Sequence, residues 1–395
     1  MLESVANGNW LTRQRVTDVA AICAVAGIGL LLFLWLWRTG TVDYFGQPVG
    51  ADFAPFWQAG HIANMGDPAR AWDQQLLNDS VKATHGVDYG TAWIYPPVFL
   101  FIAAPLGALP YLLATFLWQA LSFAAIALVL KGILKNNRDK LIALASPLTP
   151  LVLANGQNSF LTAALLGAGL LLMDRRPGVA GALFGGLVYK PQLGIVIGPL
   201  LLFTKNWRAV AGAIAATIVL VALSVLLWGT ESWTAWLESL RYGRHYMEEG
   251  SVGFYKSVSL FAAARNWGAG VTLGYVAQAI GAVAGIALLW RARSAPNPIR
   301  AAAAGAAVAL STPYLLDYDL AVVGIGAAFL YSVAREKGFL PYERTALAFI
   351  WVAPLYVRPI QQFALVPLGT LTILLLAWFA WRRAGPAPKV GKSRV

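Results

Sequence analysis

The chain has 395 residues, of which 58% are hydrophobic and only 12% charged, about half the charged share of an ordinary soluble domain. Most of its surface must therefore face lipid, which excludes a soluble multi-domain protein. The net charge of +12 is carried by short cationic clusters between apolar runs, a pattern of membrane orientation and not of a nucleic-acid surface.

The apolar runs fall at 17–37, 109–130, 141–154, 159–173, 178–189, 193–204, 209–228, 268–290, 301–316, 320–334, 345–357 and 362–381. They predict an all-α polytopic membrane protein of about 12 transmembrane helices, as a single unit over 1–384 with a basic cytoplasmic tail at 385–395. Several runs are shorter than the ~20 residues that cross a bilayer upright. Those helices are expected to extend into flanking polar residues or to end at an internal water-filled cavity. Threaded alternately, the runs leave 1–16, 131–140, 174–177, 205–208, 291–300, 335–344 and 382–395 on one side, with 21 of the 30 Lys and Arg. That side is predicted to be cytoplasmic, in a cell inner (plasma) membrane, with both termini on it. An additional apolar stretch at 97–109 must dip in without crossing to keep this parity. The first run is long enough to span, and Trp37-Arg38-Thr39-Gly40 lacks a small-x-small pattern, so no cleaved signal peptide is expected. The lone cysteine, Cys23, excludes a disulfide within the chain.

Two long loops, 38–96 and 229–257, fall on the opposite side. Phe53, Phe56, Trp57 and Ile62 in one, and Trp233, Trp236, Leu237 and Leu240 in the other, recur at near-helical intervals. Each set predicts an amphipathic helix lying at the membrane interface. The first loop holds Asp43, Asp52, Asp67, Asp73, Asp79 and Asp88. Asp52 precedes the aromatic segment, where an N-cap and a catalytic carboxylate are equally open.

Other polar residues gather where runs end on that same side: Tyr95, Asn155, Gln157, Asn158, Lys190, Gln192, Tyr314, Asp317, Asp319 and Arg358. Polarity there is costly unless it serves a cavity, so these are candidate cavity-lining residues. Lys190 lies between two short apolar runs, and it either snorkels to the interface or awaits a buried anion such as a lipid phosphate. Asp317 and Asp319 would point apart on a helix, and one could cap the helix that follows. His61, His85 and His245 lack metal-ligand spacing, and no nucleotide loop or dinucleotide fingerprint is present. No metal, cofactor or nucleic-acid partner is therefore expected. The Gly185-Gly186 pair suits close helix packing.

The segments Gly50-Ala51-Asp52-Phe53 with Gly66-Asp67-Pro68, Tyr95-Pro96-Pro97 with Pro105-Leu106, Asn155-Gly156-Gln157-Asn158, and Lys190-Pro191 resemble, in order and spacing, glycosyltransferase family 87. The resemblance extends over about 15–380 and implies the GT-C architecture and a polyprenyl-phosphate-mannose-dependent transferase. It implies a catalytic carboxylate in the first outer loop, at the position of Asp52. Sugar transfer from a lipid phosphate needs a base for the acceptor hydroxyl and positive charge for the leaving phosphate. Asp52 is the candidate base, Lys190 the first candidate for the phosphate, and Arg241, Arg244 and Arg358 further ones. The implied partners are a polyprenyl-phosphate-sugar donor, a lipid or glycan acceptor and membrane lipids. Family members often carry a His in the segment matching Ser311-Thr312-Pro313-Tyr314, where this chain has Asp317-Tyr318-Asp319 and no His after His245. A transporter or flippase is the competing class; it should show internal repeats between its halves, and none is detectable.

Overall fold

The computed structural model describes residues 2–90 and 92–385; apart from Gly385, the expected basic tail lies outside them. Among the described residues every regular element is a helix, with isolated β-bridges and no strand. Five helices are long and apolar enough to cross a membrane: Arg13–Leu36, Tyr111–Ile133, Trp207–Glu248, Val271–Ala292 and Asp317–Lys337. A sixth crossing follows if Val357–Phe363 and Leu368–Arg383, bent at 119°, form one broken span. The protein is thus a multi-pass membrane protein.

The remaining apolar runs are broken into pieces. Residues 141–154 divide into Asn137–Leu144 and Leu148–Asn155 around Ser146-Pro147. The runs at 178–189 and 193–204 are likewise short pieces, with Lys190 standing between Gly186–Tyr189 and Pro191–Gly194. An eight-residue helix is only about 12 Å long, against roughly 30 Å of hydrocarbon. The Leu100–Gly107 helix is of this kind and packs on the first-loop helix Ala54–Ala63. A Cβ on Gly60 would lie 1.8 Å from the Ala103 carbonyl oxygen, so only glycine permits that crossing.

The expectation of an interfacial helix in the first loop is overturned. Phe53, Phe56, Trp57 and Ile62 are all buried within the protein, and Ala54–Ala63 is covered on every side except at His61. The aromatic spacing reflects an aromatic core shared with Trp93, Phe99, Trp118 and Tyr189, not a lipid-facing stripe. The second loop is largely helix. Trp207–Glu248 runs through residue 229, where Gly229 (φ 75°, ψ 166°) turns the axis. Beyond the kink Leu237 and Leu240 are exposed, while Trp236 Nε1 donates to the Ile94 carbonyl at 3.1 Å. This ties the second long segment onto the first. A larger core forms around the alanine-rich helix Asn297–Ser311 and its neighbour Leu320–Lys337, where small side chains allow close approach.

Candidate active site

Two glycines bring the first loop against the end of a short helix. Gly50 and Gly156 both have left-handed φ values, 72° and 68°. Gly156 ends the Leu148–Asn155 helix, and a Cβ on it would meet Phe53 Cβ at 2.7 Å and Gly50 Cα at 3.2 Å. The two turns therefore touch backbone to backbone. Trp118 fixes the contact by donating from Nε1 to the Gly156 carbonyl at 2.8 Å. Asp52 lies two residues after Gly50, and Gln157 directly follows Gly156.

Asp52 lies inside a 3-10 turn, Ala51–Phe53, whose N-cap is Gly50, and that turn has no side-chain cap. The capping reading of Asp52 fails on this geometry. Its carboxylate instead accepts from Tyr89 Oη at 3.3 Å and from Gln157 Nε2 at 3.1 Å. The same Gln157 nitrogen donates to Tyr318 Oη at 3.0 Å, while its Oε1 accepts the Asn158 backbone N–H at 3.1 Å. Desolvation pushes the Asp52 carboxyl above its ordinary value; the Gln157 hydrogen bond, the Arg358 charge, the Tyr89 hydrogen bond and the Lys256 charge oppose that shift. Burial and the neighbouring Asp52 charge push the Tyr89 phenol up as well, so its proton stays in place to donate. Asp52 remains half-buried.

Asp317 and Asp319 do point apart, each to its own cation. Asp317, fully buried, receives Arg358 Nε and, at 3.0 Å, Arg358 Nη2. Asp319 Oδ1 accepts Lys190 Nζ at 2.9 Å and Ser159 Oγ at 2.8 Å, while Oδ2 takes the Leu316 N–H at 3.3 Å. Lys190 is thus neither a snorkelling side chain nor a free cation. Its buried anion in this structure is a carboxylate of this chain, Asp319, and not an open position awaiting a ligand phosphate. The 3-10 turn Asp317–Asp319 is braced on both flanks, with Tyr318 held between them.

The other expected cations divide. Arg244 bonds Glu248 four residues on, at 2.8 Å on an exposed helix face, and Arg241 is exposed on the same helix. Neither joins the buried cluster. Arg358 does join it: its charge acts on Asp52 and Tyr318, and its side chain stays 31% exposed. Lys256, absent from the sequence candidates, also acts on Asp52. Asn155 spends its amide on the Leu151 carbonyl at 2.7 Å, a local helix-end bond. Asn158 is fully buried, and its amide faces the Tyr95 hydroxyl without closing a hydrogen bond of good geometry. Tyr95 stacks on Phe99, Tyr314 lies within electrostatic range of Asp52 and Asp319, and Gln192 is half-buried beside Pro191. Tyr89 is, with Lys256, a site residue that pattern reading missed, since a lone tyrosine carries no spacing signal; Tyr318 stood in the polar segment Asp317-Tyr318-Asp319 without being singled out.

Two open clefts of about 790 and 470 Å³ lie elsewhere, the larger along Trp57, His61, Phe101 and Trp228, the smaller between Asp67, Arg70 and Glu238. Neither is lined by Asp52 or its partners. The interior cluster instead gathers the Asp52 carboxylate within electrostatic reach of the Arg358 guanidinium and the Lys256 ammonium.

Fold and site define a multi-pass membrane protein with a half-buried carboxylate and cations acting on it. Residues 93–316 match the sequence model of glycosyltransferase family 87, and the chain belongs to that family. It is a glycosyltransferase, and acts with a donor and an acceptor substrate. No curated protein and no solved structure matches the chain. Gln157, Lys190 and Lys256 lie within the matched region; Asp52, Asp317, Asp319 and Arg358 lie outside it.

Proposed function

We propose that the protein is an inverting glycosyltransferase that moves a sugar, mannose in the simplest reading, from a polyprenyl-phosphate-sugar donor to a lipid or glycan acceptor. Asp52 is the base. It removes the acceptor hydroxyl proton while that oxygen forms a bond to the anomeric carbon. The bond from the same carbon to the phosphate oxygen breaks, and the electron pair leaves with the polyprenyl phosphate. One displacement of this kind inverts the anomeric centre, so a β-linked donor yields an α-linked product.

The observation that carries this reading is the environment of Asp52. Its carboxyl is raised toward the working range of a general base, yet it sits within reach of the Arg358 and Lys256 charges. Those two cations suit the leaving phosphate, in place of Lys190, Arg241 and Arg244. The reading includes a single GT-C-like unit over 1–384 with about 12 membrane segments, the shorter helices being counted with the five long ones. It places the site at the non-cytoplasmic face of the plasma membrane, from the 21-to-9 split of Lys and Arg. The test is transfer from a synthetic polyprenyl-phosphate sugar to membrane lipids by the purified protein. Absence of transfer by wild type, with mannose, other hexoses and pentoses all tried, would sink it.

A further inference from the structure

We propose that Tyr318 touches the substrate, donating its hydroxyl proton to an oxygen of the donor's phosphate; this deepens the preceding reading and rests on it. The argument is an inventory of protons. The Gln157 side-chain nitrogen has two hydrogens. One goes to Asp52 Oδ2 at 3.1 Å and the other to Tyr318 Oη at 3.0 Å. The amide cannot be turned around, because Oε1 accepts the Asn158 backbone N–H at 3.1 Å and a flip would set that oxygen against the Asp52 carboxylate. Tyr318 is therefore an acceptor in this bond, and its own proton is unspent. Among the described residues no group accepts it.

A buried hydroxyl with an unspent proton is costly to keep, and Tyr318 is only 6% exposed. Nor can it easily turn away. Its backbone lies between Asp317, locked to Arg358, and Asp319, locked to Lys190. Arg358 spends Nε and Nη2 on Asp317, which leaves Nη1 uncommitted on a side chain 31% exposed. Tyr318 and Arg358 thus present one neutral and one charged donor to the space beside Asp52.

The pair selects an anion over a sugar hydroxyl. A hydroxyl is both donor and acceptor and is best met by groups that do both, but the acceptor capacity of Tyr318 facing the cluster is engaged by Gln157. A phosphate oxygen only accepts, and it gains charge as the bond to the sugar breaks, when a fixed donor is worth most.

The test uses the purified full chain and farnesyl phosphate as the probe. Tyr318→Phe keeps the ring and removes the proton. It should weaken farnesyl phosphate binding about tenfold, the worth of one charge-assisted hydrogen bond, and lower kcat for sugar transfer. Asp52→Asn should bind the probe as well as wild type or better, since a negative charge beside the phosphate is gone. If Tyr318→Phe destabilises the protein, 3,5-difluorotyrosine at 318 serves instead, and its stronger O–H donor should change probe affinity severalfold. Wild-type affinity in both variants overturns the proposal. So does a lower kcat with a displaced acid limb and unchanged probe binding, because Tyr318 would then act only through Gln157. A wild-type protein that neither binds the probe nor transfers sugar instead defeats the transferase reading itself.

Discussion

The Lys190 ammonium lies 2.9 Å from Asp319 Oδ1, and neither side chain is more than 5% exposed. Removing one partner leaves the other charge buried and alone, which costs about 3–5 kcal/mol in such pairs. Lys190→Ala should therefore lower the thermal unfolding midpoint sharply and reduce the monodisperse fraction on extraction. Lys190→Ala with Asp319→Asn should recover most of that loss. A stable, inactive Lys190→Ala protein would reinstate Lys190 as a ligand contact.

Asp52→Asn separates base from scaffold. The variant should lose transfer by roughly 10²–10⁴-fold, the usual value of a positioned base. Its stability should hold or rise. The folded-state carboxyl is raised above its ordinary value of 3.8, so Asp52 favours the folded state only when protonated, and this contribution is lost as pH rises through the raised value. At neutral pH the ionised group costs stability that Asn avoids. For the same reason the acid limb of the wild-type rate profile should fall above pH 3.8. Full activity in a well-folded Asp52→Asn protein would assign the base elsewhere.

His85 gives stability the opposite dependence. Burial lowers its pKa from 6.5 to about 4, while Nδ1 bonds Thr41 Oγ1 at 2.8 Å and the ring meets Tyr111 edge-on at 4.4 Å. The folded state binds fewer protons than the unfolded chain between these two values, so stability falls as pH drops from 6.5 toward 4. Unfolding midpoints measured across that interval should decline for wild type and decline less for His85→Gln. Parallel curves would remove His85 from the account.

Orientation can be read with single cysteines in a Cys23→Ser background. Gln75→Cys and Glu238→Cys lie on exposed positions of the two long loop segments, and Lys135→Cys and Lys337→Cys on exposed positions in the cationic loops. The first two should react with an impermeant maleimide in intact cells, and the last two only after the membrane is opened. Labelling at 135 from outside would reverse the assigned faces.

Much of this architecture was legible in the chain. The runs at 17–37, 109–130 and 268–290 correspond to long helices because uninterrupted apolar length is itself the signal for a span. The run at 141–154 misled on length, since an apolar stretch reports burial and says nothing of a break at Pro147, whereas the break at Lys190 between 178–189 and 193–204 was legible from its charge. Composition likewise could not tell the aromatic helix at 54–63 from an interfacial one, because a protein interior and a lipid surface accept the same side chains. Polar clusters at span ends pointed to Gln157, Asp317, Asp319 and Arg358, while Asp52 was marked by its place in the first loop and by the family resemblance. Their pairing was not legible: Lys190 and Asp319 are 129 positions apart, and only the folded backbone tells which cation meets which carboxylate. Arg241 and Arg244 were drawn in by charge alone, and Lys256 was overlooked because its segment, Phe254–Lys256, has no periodicity.

Asp52 and Arg358 stand near opposite ends of the chain, yet they share one electrostatic environment. During synthesis the carboxylate is made first, and roughly 300 further residues must be added before its guanidinium exists. At ribosomal speed that interval lasts about 15–60 s. Throughout it the Asp317–Asp319 turn is either unmade or lacks its Arg358 brace. On the roles proposed for Asp52 and Arg358, the nascent protein stays catalytically silent until its final helices are laid down, and a chain released early leaves an inert membrane protein and not a partly active one.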